Sequence, residues 1–141
     1  MSESLTLQRT YRFRVAPTPE QAQALARFAG TRRWIWNWAL ARKRAYYAEH
    51  GTGISFVQLC AELTALKDQP ETAWLKAIDS QLLQQALRDL EQALTNFFEH
   101  RARYPRFKSK KRGEPSFRIP QRVIVRDGQV YVPKIGWVTI R

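Results

Sequence analysis

Cysteine is almost absent from this chain, and long apolar runs are absent altogether. Cys60 is the single cysteine among 141 residues, so no disulfide bond can form within the chain. No apolar run is long enough to span a membrane, and the N-terminus carries no signal-peptide pattern. We therefore expect a protein of the cytoplasm or nucleoid that has no membrane partner.

Acidic side chains are scarce in one stretch, residues 101–122. This stretch holds nine of the 24 basic residues, and only Glu114 opposes them. It therefore carries +8 of the formal net charge of +12. Aromatic and proline side chains are interleaved with the charges, and such a pattern suits a polyanion that also has planar faces. The stretch indicates nucleic acid as the partner, in preference to a membrane or an acidic protein.

Groupings of catalytic residues are also missing. Two-metal phosphodiester cleavage needs clustered carboxylates, but the acidic residues are scattered over predicted helices at surface positions. His50 and His100 each close a predicted helix, where an imidazole suits the helix dipole. Gly51-Thr52-Gly53 lacks the lysine of a phosphate-binding loop. We predict no catalytic residue, no metal ligand and no cofactor, and therefore no enzyme activity of this chain.

Two helices are predicted close to the N-terminus, after a strand. Leu5 to Val15 alternates between apolar and polar residues, as a half-buried strand does. Thr18-Pro19-Glu20-Gln21 is a capping box that begins a helix, and Gly30 is predicted to end it. Thr31 then begins a second helix that ends near Gly51. The tight Gly-Thr connection predicts a helix-turn-helix-like pair, with Arg32 and Arg33 in the first turn of the second helix.

The remaining elements are two helices and a group of strands. Ser55 begins a helix to about Lys67, and Asp79-Ser80 caps a long amphipathic helix from Gln81 to about Arg101. Asp127-Gly128 predicts a type I′ hairpin between residues 123–126 and 129–132, and Gly136 to Ile140 predicts a further strand.

The expected fold class is α+β, with four helices inserted between strands that form one sheet. The predicted boundaries are a first strand in residues 1–17, a helical part in 18–102 (helix-turn-helix-like in 18–51), a basic connector in 103–122 and the remaining strands in 123–141. The aromatic residues of the second helix are expected to be mainly core. This holds for Trp34 and Trp38, which lie four residues apart, whereas Trp36 is a candidate for stacking on a base.

Several segments, taken in order, resemble the N-terminal part of TnpB (OrfB) proteins, the transposon-encoded relatives of type V CRISPR effectors. The resemblance runs from about residue 8 to the end of the chain. Its segments are YRFRVAPTPEQ, TRRWIWNWALARK, GISFVQLCAELTALK, WLKAIDSQLLQQALRDLEQALTNFF, YPRFKSKK and VYVPKIGWV.

This resemblance implies a fold and a function. The strands would belong to a wedge β-barrel, and the helices to a recognition lobe inserted into it. Family members bind a guide RNA, recognise a short motif beside the target DNA, and cut with a RuvC-like nuclease. The chain departs from that pattern, because it ends about where the RuvC part would follow. It has no counterpart of the first catalytic Asp in a G-x-D-x-G setting, and the lone Cys60 cannot supply the zinc-ribbon CxxC pairs. We expect a prokaryotic protein without the RuvC nuclease and zinc ribbon.

Guide RNA and DNA are thus the expected partners, together with a separate chain that supplies the missing nuclease part. The expected contacts to the phosphate backbone are Arg32, Arg33, Arg42, Lys43, Arg101, Arg103, Arg106, Lys108, Lys110, Lys111, Arg112 and Arg118. Trp36, Tyr104 and Phe107 are candidates for base stacking, although the last two could equally anchor the connector on the helices. The resemblance assigns reading of the target motif to Ser55, Phe56, Cys60, Ser80, Gln81 and Gln84.

Three functions remain open at this point. The chain could be the nucleic-acid-binding portion of an RNA-guided endonuclease, without the cleavage module. It could be a stand-alone DNA- or RNA-binding regulator derived from such a protein. It could also be a general basic binding protein with no preference for one RNA.

Overall fold

The fold is an α+β arrangement of three α-helices, a 3₁₀ helix and a four-stranded antiparallel sheet, and the predicted fold class is confirmed. A computed structural model describes residues 12–110 and 124–141. In chain order the elements are β1 (Val15–Ala16), α1 (Pro19–His50), α2 (Phe56–Leu66), the 3₁₀ helix (Pro70–Ala77), α3 (Ser80–Phe98), β2 (Ile124–Arg126), β3 (Gln129–Val132) and β4 (Gly136–Ile140).

Both ends of α1 follow from the sequence. The Thr18 hydroxyl accepts a hydrogen bond from the Gln21 amide at 3.3 Å, and the Gln21 side chain accepts one from the Thr18 amide at 3.0 Å. This is the predicted capping box. At the other end Gly51 has a φ of 71°, and its N–H donates to the Tyr47 carbonyl. Glycine adopts this left-handed conformation without steric cost, so the predicted helix end near Gly51 is confirmed.

The predicted break at Gly30 is wrong, because α1 continues through it as one helix of 32 residues. Glycine inside a helix costs only about 1 kcal/mol relative to alanine. Phe28 and Ile35, on either side, are buried in the core, and burying such side chains outweighs that cost. The Thr31 hydroxyl also donates to the Arg27 carbonyl at 2.8 Å, across the glycine. The helix-turn-helix-like turn expected within 18–51 is therefore missing from this segment.

Side-chain caps begin the other two α-helices. The Ser55 hydroxyl accepts from the Gln58 amide at 3.1 Å at the start of α2. The Asp79 carboxylate accepts from the Gln81 amide at 2.8 Å at the start of α3, as predicted. The end of α3 lies at Phe98, earlier than the predicted Arg101. The 3₁₀ helix, Pro70–Ala77, lies between α2 and α3, where the sequence analysis predicted no helix.

The core lies where α1, α2 and α3 pack together. The stripe of α3 is buried as its spacing predicts, through Leu82, Leu83, Ala86, Leu87, Leu90 and Leu94. Trp34 and Trp38 of α1 pack against the core, as predicted. Both are half-buried, and they stack on each other with their ring centroids 6.5 Å apart, whereas Trp36 is buried. The buried face of α1 carries Ile35, Trp36, Ala39 and Leu40.

The sheet has the strand order β1-β4-β3-β2. The hairpin between β2 and β3 pairs Val125 with Val130, and Asp127 and Gly128 have φ values of 51° and 74°. Two positive φ values in a two-residue loop are the signature of a type I′ turn, so the predicted hairpin is confirmed. Val130 is buried, but Val125 is exposed, since it lies on the outermost strand of the described sheet.

The strand predicted at residues 5–15 falls mostly outside the described residues. Its described end differs, since Arg12–Arg14 are not in a strand and β1 comprises Val15 and Ala16, paired with Ile140 and Thr139 of β4. The Arg141 amide extends this contact by donating to the Arg14 carbonyl at 2.7 Å. The first strand and the last strands thus share one sheet, as predicted, while closure into a wedge barrel stays a prediction.

The sheet is fastened to the helices at two places. The side-chain NH₂ group of Gln21 donates to the Trp137 backbone carbonyl of β4 at 2.7 Å. The Lys134 ammonium group donates to the carbonyls of Lys76 and Ile78, at 3.2 and 3.3 Å, at the C-terminal end of the 3₁₀ helix. Its positive charge suits the carbonyl end of that helix. Val130, Val132 and Val138 also belong to the same buried cluster as the helical residues.

Candidate nucleic-acid interface

Asn37 holds the first part of the basic connector against α1. Its side-chain amide donates to the Lys108 carbonyl at 2.9 Å, and its side-chain oxygen accepts from the Lys108 amide at 2.7 Å. One side chain thus satisfies both backbone groups of one connector residue, as a neighbouring β-strand would. The connector has no regular secondary structure at residues 102–109, so this pair of bonds fixes its position.

Trp36, next to Asn37, makes a second attachment. Its indole N–H donates to the Arg106 carbonyl at 2.8 Å, and the Lys108 ammonium nitrogen lies 4.2 Å from its ring centroid. The ring is 8% exposed. Its N–H and part of its surface are already in contact with the connector, so this arrangement favours a core role and does not fit the predicted stacking of Trp36 on a base.

Lys108 is half-buried, and its ammonium group lies over the Trp36 ring. Burial lowers the pKa of this ammonium group, and the positive charge of Arg32 lowers it further, while Asp89 acts in the opposite direction. The predicted phosphate contact of Lys108 stays a prediction.

Tyr104 and Phe107 lie on either side of an arginine that the sequence analysis did not single out. The Arg44 guanidinium carbon lies 5.3 Å from the Tyr104 ring centroid and 4.9 Å from that of Phe107. Tyr104 also meets Phe97 of α3 edge-on at 5.2 Å. The predicted alternative, that these rings anchor the connector on the helices, fits these contacts, and base stacking stays a prediction. Arg44 follows Asn37 by seven residues, so two helical turns place both on one face of α1. This spacing is the sequence signal that could have indicated a role for Arg44 at the interface.

The connector cations that face solvent are Arg103, Arg106 and Lys110, and Arg101 just before the connector is also exposed. Arg101 forms an ion pair with Glu99 in which both side chains are more than half exposed. Such a pair is weak and can exchange for a phosphate. Lys111, Arg112 and Arg118 lie outside the described residues, so their predicted contacts stay predictions.

The cations of α1 have internal partners. Arg32 lies 3.5 Å from Asp89 of α3, Arg42 lies 2.6 Å from Glu62 of α2, and Lys43 forms an ion pair with Glu91 of α3. The hydrogen bond to Glu62 is the main cause of a raised pKa of Arg42.

These ion pairs join α1 to α2 and α3. A phosphate that binds Arg32, Arg42 or Lys43 would therefore have to compete with the carboxylate already paired with that side chain. Arg33 is half-buried on α1. Because α1 is continuous, Arg32 and Arg33 lie in the middle of a helix, and the prediction that they occupy a first turn is wrong.

The residues predicted to read a target motif form two separate groups. Ser55 caps α2, Phe56 lies with its ring centroid 6.0 Å from the Arg88 guanidinium carbon, and burial raises the pKa of Cys60. A shallow groove of about 290 Å³ adjoins this first group, lined by Phe56, Arg88, Glu91, Gln92 and Thr95.

The second group lies at the start of α3, where Ser80 and Gln84 are exposed and Gln81 is half-buried. Phe56 contacts α3 at Arg88. Gln84 precedes Arg88 by four residues, which is about 6 Å along the helix at 1.5 Å per residue. Reading of a DNA motif by these two groups stays a prediction.

In the described ranges, 12–110 and 124–141, no group of three or more His, Cys, Asp or Glu residues could hold a metal ion. Within the same ranges, no helix has the length and apolar character needed to cross a membrane.

Comparison with known proteins identifies relatives over nearly the whole chain. Residues 1–52 match the HTH_OrfB_IS605 family, described as a helix-turn-helix domain. The chain is 40% identical over 134 residues to "Putative RNA-guided DNA endonuclease InsQ" of Escherichia coli K12, which covers 93% of this chain and 33% of that protein. It is 41% identical over 130 residues to a "Putative RNA-guided DNA endonuclease" of Streptomyces pristinaespiralis, covering 91% of this chain and 32% of that protein.

A shorter relative matches over most of its own length. The chain is 32% identical over 105 residues to "Virulence protein VsdF" of Salmonella dublin, covering 68% of this chain and 88% of that protein. By contrast, the chain spans about a third of the length of the two endonuclease relatives. Taken together, these matches show that the chain belongs to the OrfB/TnpB family of insertion-element proteins.

Proposed function

We propose that this chain is the nucleic-acid-binding, N-terminal portion of an OrfB/TnpB-type RNA-guided DNA endonuclease. It binds guide RNA and the DNA motif beside the target, and cleavage belongs to a part of the protein outside these 141 residues. The observation that carries the proposal is the attachment of the basic connector to α1 through Asn37 and Trp36, with Arg103, Arg106 and Lys110 left at the surface.

The charge distribution supports this function. The chain has 24 basic and 12 acidic residues, yet several acidic residues of the helices pair with cations of α1. The excess positive charge is thereby concentrated in the connector, where Arg101, Arg103, Arg106, Lys110 and the following Lys111, Arg112 and Arg118 would contact phosphates. Arg32, Arg33, Arg42 and Lys43 would then act mainly by holding the helices that carry this surface.

Recognition of the DNA motif is assigned to the starts of α2 and α3. Gln84 is exposed, and a glutamine side chain can pair with adenine in the major groove. Ser80 and Gln81 precede it on α3, while Ser55, Phe56 and Cys60 would contact a second region of the DNA. The protein would act in the nucleoid, and a separate polypeptide would supply the nuclease.

A salt titration tests the proposed interface. The double variant Arg103→Ala with Arg106→Ala removes two exposed connector charges, and the control Arg27→Ala with Lys76→Ala removes two exposed charges elsewhere. For a single-stranded RNA, each lost phosphate contact reduces the slope of log affinity against log salt by roughly 0.7. We expect a reduction of about 1.4 in the connector variant and none in the control. Equal reductions in both variants would contradict an interface at the connector.

Identification of the bound RNA tests the guide-RNA part of the proposal. RNA that co-purifies with the chain from its own host is trimmed with nuclease and sequenced. One dominant RNA from the end of a mobile element is expected. A heterogeneous mixture would contradict guide-RNA binding and favour a general basic binding protein. Magnesium-dependent DNA cleavage by the purified chain would contradict the assignment of cleavage to another part.

A second function is a stand-alone DNA- or RNA-binding regulator. The observation that favours it is the relative VsdF. This chain covers 88% of VsdF, so a similar protein of comparable length is known. A regulator of this kind binds one DNA site without RNA. Tight binding to a duplex from the chain's own gene, unchanged after ribonuclease treatment, would support it over the first function.

A further inference from the structure

Arg44, Tyr104 and Phe107, termed here the Arg44 stack, form a surface of planar groups beside the exposed cations of the connector. The guanidinium group of Arg44 is within 5.3 Å of one ring centroid and 4.9 Å of the other. Tyr104 is 36% exposed and Phe107 is 44% exposed. Both rings therefore leave part of their surface open to a ligand that stacks on aromatic groups.

Charge at the stack points to an anionic ligand. Within residues 12–110 and 124–141 no carboxylate forms an ion pair with Arg44. Arg103 and Arg106 are exposed within the same connector segment as the two rings. A planar cation next to exposed rings binds planar groups by stacking, while neighbouring arginines attract phosphates.

We propose, as an extension of the proposed function, that the Arg44 stack binds the base of an unpaired nucleotide and gives the chain a preference for single-stranded over duplex nucleic acid. In a duplex the faces of each base are covered by neighbouring base pairs, so the rings have no free surface to contact. In a single strand a base can turn outwards and stack on Phe107, while its flanking phosphates meet Arg103 and Arg106.

The position of the stack on the fold supports this selection. Asn37 and Trp36 fix the connector backbone at Lys108 and Arg106, on either side of Phe107. The ring is therefore held in place before a ligand arrives, which reduces the entropy lost on binding. The stack distinguishes unpaired from paired bases, and it does not distinguish RNA from DNA, because both present the same base faces.

Phe107→Leu is the informative variant, because it removes the aromatic face, keeps an apolar side chain and changes no charge. Phe98→Leu is the matched control, since Phe98 is also exposed but lies outside the Arg44 stack. Three labelled ligands of equal length are compared: a single strand, the same single strand with abasic residues, and a duplex. Single strands are prepared as both RNA and DNA.

For the single strands we expect Phe107→Leu to weaken binding roughly ten- to a hundredfold, as the loss of one stacked base predicts. Duplex affinity and the salt slope remain unchanged, because no phosphate contact is lost. The wild-type chain loses about the same factor when the bases are removed from the strand, and Phe107→Leu no longer distinguishes the normal from the abasic strand. A 2-aminopurine base in the strand is quenched by the wild-type chain and by Phe98→Leu, but not by Phe107→Leu.

Other results would overturn the inference in distinguishable ways. An equal loss of single-strand and duplex affinity in Phe107→Leu would show that the ring only anchors the connector. An unchanged single-strand affinity would show that the stack does not contact bases. If the wild-type chain bound neither ligand at low salt, the proposed nucleic-acid function itself would fail, and this inference with it. Circular dichroism and thermal unfolding confirm that each variant is folded.

Discussion

Replacing Asn37 with alanine removes both hydrogen bonds that hold the Lys108 backbone on α1. A hydrogen bond of this kind contributes about 0.5–1.5 kcal/mol net. Losing two should therefore weaken the attachment of the connector by about 1–3 kcal/mol. The rest of the Asn37 environment changes little, because the side chain is only half-buried and leaves no large cavity.

Amide hydrogen exchange measures this effect at the bond itself. The Lys108 amide donates to Asn37 in the wild-type chain, so Asn37→Ala should expose it. A loss of about 2 kcal/mol corresponds to roughly 30-fold faster exchange of that amide, since each 1.4 kcal/mol is a factor of ten. Affinity for single-stranded nucleic acid should fall as well, because Phe107 and its neighbouring cations lose their fixed position.

Asn96→Ala provides the control for this experiment. The Asn96 side-chain oxygen accepts from the Gln92 side chain at 3.0 Å on α3, whereas the side chain bound to the Lys108 backbone is that of Asn37. We expect a change below about 0.5 kcal/mol, as for most surface substitutions. The reasoning is refuted if the Lys108 amide exchanges equally fast in the wild type and in Asn37→Ala, because the connector would then not be held by this side chain.

Three further predictions concern α1, the core and the thiol. Gly30→Ala should stabilise the protein by about 0.5–1 kcal/mol in urea unfolding, because a Cβ there meets only the Arg33 guanidinium at 3.4 Å; a destabilised variant would argue for a helix break at this position. Trp36→Phe should cost about 0.5–1.5 kcal/mol, since the part-buried hydrogen bond to the Arg106 carbonyl is lost, and unchanged unfolding would count against that bond. Burial raises the pKa of Cys60, so iodoacetamide should reach half its maximal rate at a higher pH than with the unfolded chain; coincident pH profiles would contradict the shift.

Local signals in the sequence predicted the local structure well. The Thr18–Gln21 capping box, the Asp79 cap and the Asp127-Gly128 hairpin each depend on residues adjacent in the chain, and all three are confirmed. The predicted helix end at Gly30 was wrong because a glycine ends a helix only when the residues before and after it gain nothing from a continuous helix. Here Phe28 and Ile35 are buried in the same core, a fact that depends on residues distant in sequence.

The site was predicted in part. The basic and aromatic composition of the connector identified Tyr104, Phe107 and the surface arginines, but not Asn37 or Arg44, whose roles depend on the connector folding back across about 70 residues of chain to reach α1. The burial of Trp36 depends in the same way on the connector that covers it, which the spacing of the tryptophans along α1 does not reveal.

The pairing of β1 with β4 brings Val15 to Ile140, close to opposite ends of the sequence. Contacts of such long sequence separation form slowly, because a large loop must close first. During synthesis from the N-terminus, α1, α2 and α3 are all available before β4 has been made. The helices therefore have to assemble while the core positions filled by Val130, Val132 and Val138 are still vacant. Until β3 and β4 have been made, the nascent chain would expose the apolar surface that these strands cover, and exposed apolar surface favours aggregation.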